Sequence, residues 1–163
     1  MTSSRKFFAD FVRRSFEEFR AKPHDEYLAK MAVTAANDMA ERMLHEHSGT
    51  ARVSGFAVGQ ERKYRDALSD TECEAFGIVR DVAEGHKHFR LDRQPRRVSS
   101  AEQTGSRPTR WMNSAEQEVT WVNNVGEPIT WVSNVIVKFD DGTERALLPM
   151  LEEVVGMWDR LTA

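Results

Sequence analysis

The chain predicts an α+β fold: an N-terminal helical bundle, then a three-stranded antiparallel meander, then a C-terminal helix. Three observations carry that expectation. Apolar residues recur at three- and four-residue spacing as far as about residue 90. A β-branched and aromatic segment, Val119-Thr-Trp-Val-Asn-Asn-Val125, is echoed ten residues later as Ile129-Thr-Trp-Val-Ser-Asn-Val135. An amphipathic helical pattern then follows Pro149.

From Ser4 to about Ala21, Phe8, Phe11, Val12 and Phe19 form one apolar face and leave Arg13, Arg14, Glu17 and Arg20 outside. Pro23 interrupts this helix and sits near the first turn of a second, where Asp25 and Glu26 suit the positive end of the backbone dipole. The second helix runs to about His47, with Gly49 as its stop. Its stripe of Leu28, Ala32, Ala35, Met39 and Met43 is rich in small residues, which lets a neighbouring helix approach closely. Residues 50–59 connect, and a short helix is expected at residues 60–68. Ser69 or Asp70 then caps a helix that reaches about Phe89, with Cys73, Phe76, Val79 and Ala83 on its apolar face. Gly77 and Gly85 within it mark either close packing or local breaks.

Residues 91–110 lose all period and carry Pro95, Gly105 and Pro108, so they are expected as a long loop. From Lys87 to Arg110 seven cationic residues face two acidic ones, so this segment carries +5 in a chain of net charge −3. Gly126, Glu127 and Pro128 supply a turn between the two echoed strands. Asp141-Gly142 gives the hairpin to a third strand, residues 143–148. Pro149 opens the last helix, with Leu151, Val154, Val155, Trp158 and Leu161 facing the sheet.

With 163 residues, 30% of them charged and 40% hydrophobic, the chain reads as a single domain able to bury a real core. Its parts are residues 1–90 (helical), 91–110 (basic loop), 111–148 (meander) and 149–162 (final helix). One cysteine, Cys73, excludes an intrachain disulfide and suits a reducing compartment. No apolar run is long enough to span a bilayer, and the first eight residues lack a signal core. A cytoplasmic protein with no membrane partner is the expectation. The net charge argues against a protein that coats DNA generally, without bearing on a local patch.

The chemistry reads by elimination. His45 and His47 project about 200° apart on a helix and cannot share an ion, although Glu41 and His45 can. With no cysteine cluster, His-Glu-x-x-His, phosphate loop or nucleophile elbow, no metal site and no cofactor are expected. What remains is Arg80-Asp-Val-Ala-Glu-Gly-His-Lys-His88, an arginine followed by two histidines and then the basic loop.

Arg80 and His86, with five residues between them, resemble the Arg-x(4 to 6)-His motif of the HEPN superfamily, helical domains many of which are metal-independent ribonucleases of toxin and phage-defence systems. The same stretch is also similar to a group of uncharacterised bacterial and phage proteins with an Arg-Asp-x-x-x-Gly-x-Lys-His motif, a β-rich tail and a final Trp-bearing helix. That second likeness runs from Arg80 through Trp158 and brings no activity with it. The first points to His86, the second to Lys87 and His88. The HEPN resemblance implies a homodimer with the site between subunits. It also implies Arg80 as phosphate clamp and His86 or His88 as acid or base, chemistry suited to an imidazole near neutral pH and a guanidinium fork. Lys87, Arg90, Arg93, Arg96, Arg97, Arg107 and Arg110 would add affinity for the RNA backbone, and Trp111 could stack on a base. The other tryptophans, Trp121, Trp131 and Trp158, read as core.

Other readings of the same residues stay open. Arg80 stands four residues before Glu84, and cations near a helix C-terminus are favoured by the dipole alone. The basic loop and the sheet edge also suit a non-catalytic module that binds a partner protein.

Overall fold

A computed structural model of the chain describes residues 3–88, 90–91, 97–108, 111–112, 118–119 and 133–163. It is α+β: helices, a three-stranded antiparallel sheet, and a C-terminal helix, sharing one apolar core.

The Ser3 hydroxyl accepts from the Lys6 N–H at 3.2 Å and starts α1 (Ser4–Phe7). A π-helical stretch, Phe8–Arg13, leads into α2 (Arg14–Ala21). The wider i→i+5 turn changes the phase of the apolar face. Phe7, Phe8, Val12, Phe16 and Phe19 are buried, whereas Phe11, expected inside, is 54% exposed. One carboxylate oxygen of Asp25 accepts from the N–H groups of Tyr27 (2.9 Å) and Leu28 (3.0 Å), capping α3 (Glu26–His47). Gly49, at φ 79°, follows its end in the left-handed region that glycine tolerates.

α4 (Glu61–Ala67) does not stop at residue 68. It opens into a π-turn, Leu68–Glu72, closed by the Cys73 N–H on the Leu68 carbonyl at 3.0 Å. Cys73 is extended, and α5 (Glu74–His88) begins after it, later than the expected cap at Ser69 or Asp70. α5 runs unbroken through both glycines because each is a packing point. A Cβ at Gly77 would collide with the Ser69 hydroxyl, and one at Gly85 would lie 3.4 Å from the Ala101 backbone nitrogen. Most of α5 is buried between α3, α6 and the segment that leads to the sheet.

The strands are β1 (Thr104–Pro108), β2 (Trp111–Met112), β3 (Glu118–Val119), β4 (Ser133–Lys138) and β5 (Glu144–Ala146). The sheet order is β1-β4-β5, with β4 central; β2 and β3 pair separately. The Asp141-Gly142 turn joins β4 to β5 as expected, with Gly142 at φ 88°. The other neighbour of β4 is a correction. It is β1, from inside the expected basic loop, with Thr104 opposite Val137 and Pro108 opposite Ser133. Thr-Gly-Ser-Arg-Pro has no alternation and little strand propensity; it is extended because β4 pairs with one edge and the Glu26 carboxylate accepts the Ser106 N–H at 2.7 Å. Val119 pairs with Trp111 in the small sheet. The expected turn at 126–128 and Trp121 and Trp131 lie outside the described residues.

α6 (Leu147–Thr162) starts two residues before Pro149, which occupies its first turn. It packs on β4, as expected of a covering helix, and also against α5 and α3. Trp158 is fully buried, edge-on to Phe76 with ring centroids 5.7 Å apart, and its indole N–H donates to the Ala36 carbonyl at 2.9 Å. No helix among the described residues is long and apolar enough to cross a membrane.

Trp158 therefore joins α6, α5 and α3. Trp158→Ala will cost about 3–5 kcal/mol of stability. Trp158→Phe, which keeps a ring against Phe76 but not the bond to Ala36, will cost about 1–2 kcal/mol. Urea denaturation midpoints of the two variants test the order.

Candidate functional site

Arg80 and Asp81 lie in the buried middle of α5, 4% and 2% exposed. The Arg80 guanidinium donates to Asp66 at 2.6 Å and to Glu84 at 3.0 Å. Of the two readings open for it, the i,i+4 pair with Glu84 is present, and Asp66 from α4 adds a second carboxylate. The structure thus gives Arg80 a structural place instead of the phosphate clamp expected of it. The guanidinium has almost no open surface, and its charge is already compensated. Asp81 accepts from the backbone N–H groups of Arg97 (2.7 Å) and Val98 (3.3 Å) and so ties the incoming segment to α5.

The last turn of α5 opens elsewhere. Ala83, Glu84, His86, Lys87 and His88 form one wall of a groove of about 480 Å³. The opposite wall is a stripe on α3, Lys30, Thr34, Asn37, Asp38 and Glu41, and Arg65 of α4 joins the lining beside Glu41. Spacings of four, seven, eight and eleven residues from Lys30 keep that stripe on one side of α3. Its opposite side is occupied by small buried alanines, including Ala29, Ala32, Ala36 and Ala40. His86, Lys87 and His88 are thus brought together in the groove, whereas Arg80 does not line it.

The groove is polar and of mixed charge. Lys30, Lys87 and His88 are exposed, and His86 is half-buried. Burial lowers the His86 imidazole below its usual value; Lys30 pushes the same way and Glu26 opposes. His86 is therefore neutral at neutral pH and able to accept a proton. The Asp38 side chain reaches solvent, yet the walls around it desolvate the carboxylate enough to raise it, against the pull of Arg65. Two groups in one groove are thus shifted in opposite directions, each toward its neutral form, as desolvation does to a carboxyl and an imidazole alike.

The remaining expected residues are dispersed. Arg97 pairs with Glu74, and Arg107 with Glu144 across the sheet. Arg90 is exposed and forms an isolated bridge to Ser100. Arg93, Arg96 and Arg110 lie outside the described residues, as does the Trp111 side chain. His45 stands 3.6 Å from Glu61 and 4.0 Å from Glu41, while His47 sits 3.1 Å from the buried Ser4 hydroxyl. No group of three metal-ligating side chains occurs among the described residues. Sequence reasoning missed Lys30, Asn37, Asp38 and Arg65. The one signal available was the run of polar residues at helical spacing along α3.

Compared with protein-family models, with curated proteins and with solved structures, the chain matches none.

Arg80→Ala will destabilise the protein by about 2 kcal/mol. Loss of one partner of an enclosed pair costs about 3–5 kcal/mol, and Asp66, with 42% of its side chain exposed, reduces that. A second outcome follows from His86. Its lowered value means that the unfolded chain takes up a proton at pH values where the folded chain does not, so stability falls as pH drops below about 6.5. His86→Asn will flatten that part of the profile of thermal midpoint against pH.

Proposed function

We propose that the chain is a HEPN-like protein whose α3–α5 groove cleaves single-stranded RNA without a metal. The observation that supports this most directly is the placing of His86, His88, Lys30 and Lys87 around one open groove. In this reading neutral His86 takes the proton of a ribose 2′-hydroxyl. The freed oxygen attacks the adjacent phosphorus, and His88 returns a proton to the departing 5′ oxygen. Lys30 and Lys87 face the phosphate as charge gathers on it. Arg80 acts only by holding α5 against α4.

A homodimer, which the HEPN resemblance implies, would bring two such grooves together, and Arg90 would extend the cationic surface along the strand. A toxin or phage-defence role would follow from uncontrolled RNA cleavage. A second reading, a non-catalytic module that binds a protein partner, draws on Tyr27 and Met31, 68% and 47% exposed and four residues apart on α3.

Purified protein will cut unstructured RNA in the presence of a chelator, and His86→Ala will slow cleavage by about a hundredfold or more without loss of helical signal. Absence of cleavage across RNAs of varied sequence overturns the catalytic reading. Capture of a partner that His86→Ala leaves intact and Tyr27→Ala abolishes would favour the interaction module.

A further inference from the structure

Beyond its histidines and lysines, the groove contains two polar atoms that the fold leaves unused. Among the described residues three buried side-chain atoms have no hydrogen-bond partner: Asn37 Oδ1, Arg65 Nε and, outside the groove, Thr104 Oγ1. Asn37 and Arg65 line the groove. Asn37 is 8% exposed, and the Arg65 side chain is 14% exposed. Arg65 reaches Glu41 only through a terminal nitrogen, at 3.9 Å, which leaves the Nε donor idle. Buried polar groups are nearly always satisfied in folded proteins, so an orphan acceptor and an orphan donor in one groove call for a ligand.

The two atoms also define what that ligand must present: an N–H for Asn37 and an acceptor for Arg65. The edge of a nucleobase carries both side by side. The groove adds a polarity along its length. Lys30 and His86 are close enough to interact at one end, and Glu41 and Arg65 meet at the other. Lys30 and Asn37, seven residues apart, are separated by about 10 Å along the helix. That is comparable with the reach from the phosphate of a nucleotide to the edge of its base. A volume of about 480 Å³ is also within the range of small-ligand sites.

We propose that the Asn37–Arg65 end of the groove is a nucleobase subsite. With both side chains turned so that these enclosed atoms meet the groove, Asn37 Oδ1 accepts from a base N–H, Arg65 Nε donates to the adjacent ring nitrogen or carbonyl, and the phosphate lies toward Lys30 and Lys87. This rests on the RNA reading of the groove for its natural ligand. The same chemistry is offered by a nucleotide within RNA and by a free nucleoside monophosphate, and the test separates them.

Calorimetric titrations of the full chain with the four nucleoside 5′-monophosphates, ribose 5-phosphate, inorganic phosphate and a single-stranded oligonucleotide form the experiment. At least one nucleoside monophosphate is expected to bind about tenfold or more tightly than ribose 5-phosphate. Asn37→Leu, close in size and lacking the acceptor, should erase that advantage to within about twofold while the thermal midpoint holds or rises, since an unsatisfied buried group is removed. Should Asn37→Leu fail to fold, Arg65→Lys keeps the charge beside Glu41, removes Nε and is read by the same ratio. Equal binding of nucleoside monophosphates and ribose 5-phosphate by the wild-type chain, or a base advantage that survives both substitutions, overturns the subsite. The two readings fail separately. Cleavage of RNA with no base advantage removes the subsite alone. Base-dependent binding of monophosphates without oligonucleotide binding or cleavage supports the subsite as a free-nucleotide site and removes the RNA reading.

Discussion

Two consecutive buried charges on α5 determine how the rest of the molecule is held. Neighbouring helical residues project about 100° apart, so Arg80 and Asp81 reach different partners. Arg80 takes carboxylates from Asp66 on α4 and Glu84 on its own helix, and Asp81 takes the backbone N–H groups of residues 97 and 98. An ion removed from water is tolerable only when it is closely compensated, and here each is met by at least two hydrogen bonds. The result is a rotational lock. α5 cannot turn about its axis without abandoning one partner set, and that lock directs His86, Lys87 and His88 toward α3. Gly85, whose bare Cα lets residues 100 and 101 approach, completes the fit on the sheet side.

Much of this architecture was legible where local chemistry and packing agree. Asp25, the small-residue stripe of α3, Gly49 and the Asp141-Gly142 turn each act within a few residues, and each is found where the pattern places it. The errors arise where a distant partner decides. Phe11 fits a straight α-helical face, but the π-turn through residues 8–13 shifts the phase and leaves it half exposed, stacked on Phe7. β1 has no strand signature of its own; β4 and Glu26 impose its extension from outside. A basic, proline-containing segment therefore read as a loop although its last part completes the sheet.

The site was legible in a different proportion. Arg80 and His86 are about 120° apart on a continuous helix, and the unbroken α5 keeps them so. One faces the ion-pair cluster and the other the groove. A spacing motif records which residues are near in sequence and carries no information about which side of a helix is enclosed. The other wall of the groove belongs to α3, about fifty residues earlier in the chain, and nothing local to residues 80–88 could have supplied Lys30, Asn37 or Asp38. The alternative reading of Arg80 as half of an i,i+4 pair with Glu84 required only local geometry, and that contact is present.

The groove is also where the fold departs from its own rules. Elsewhere the core is continuous and apolar, and a charge as deep as Arg80 is compensated. Around the groove an amide oxygen on α3 and a guanidine nitrogen on α4 are buried without partners, a carboxyl on α3 is raised and an imidazole on α5 is lowered. None of these features strengthens the folded state at neutral pH, since each removes a polar or charged group from water without full replacement. Stability alone would favour an apolar side chain at position 37, where the residue is 8% exposed. Consistency across levels of structure is the usual condition of a folded sequence, and its local failure is concentrated at functional sites. Two of the three buried polar atoms without a partner among the described residues, together with His86, Asp38 and both lysines, line this one cavity, and that concentration is what makes the groove a site rather than a seam between helices.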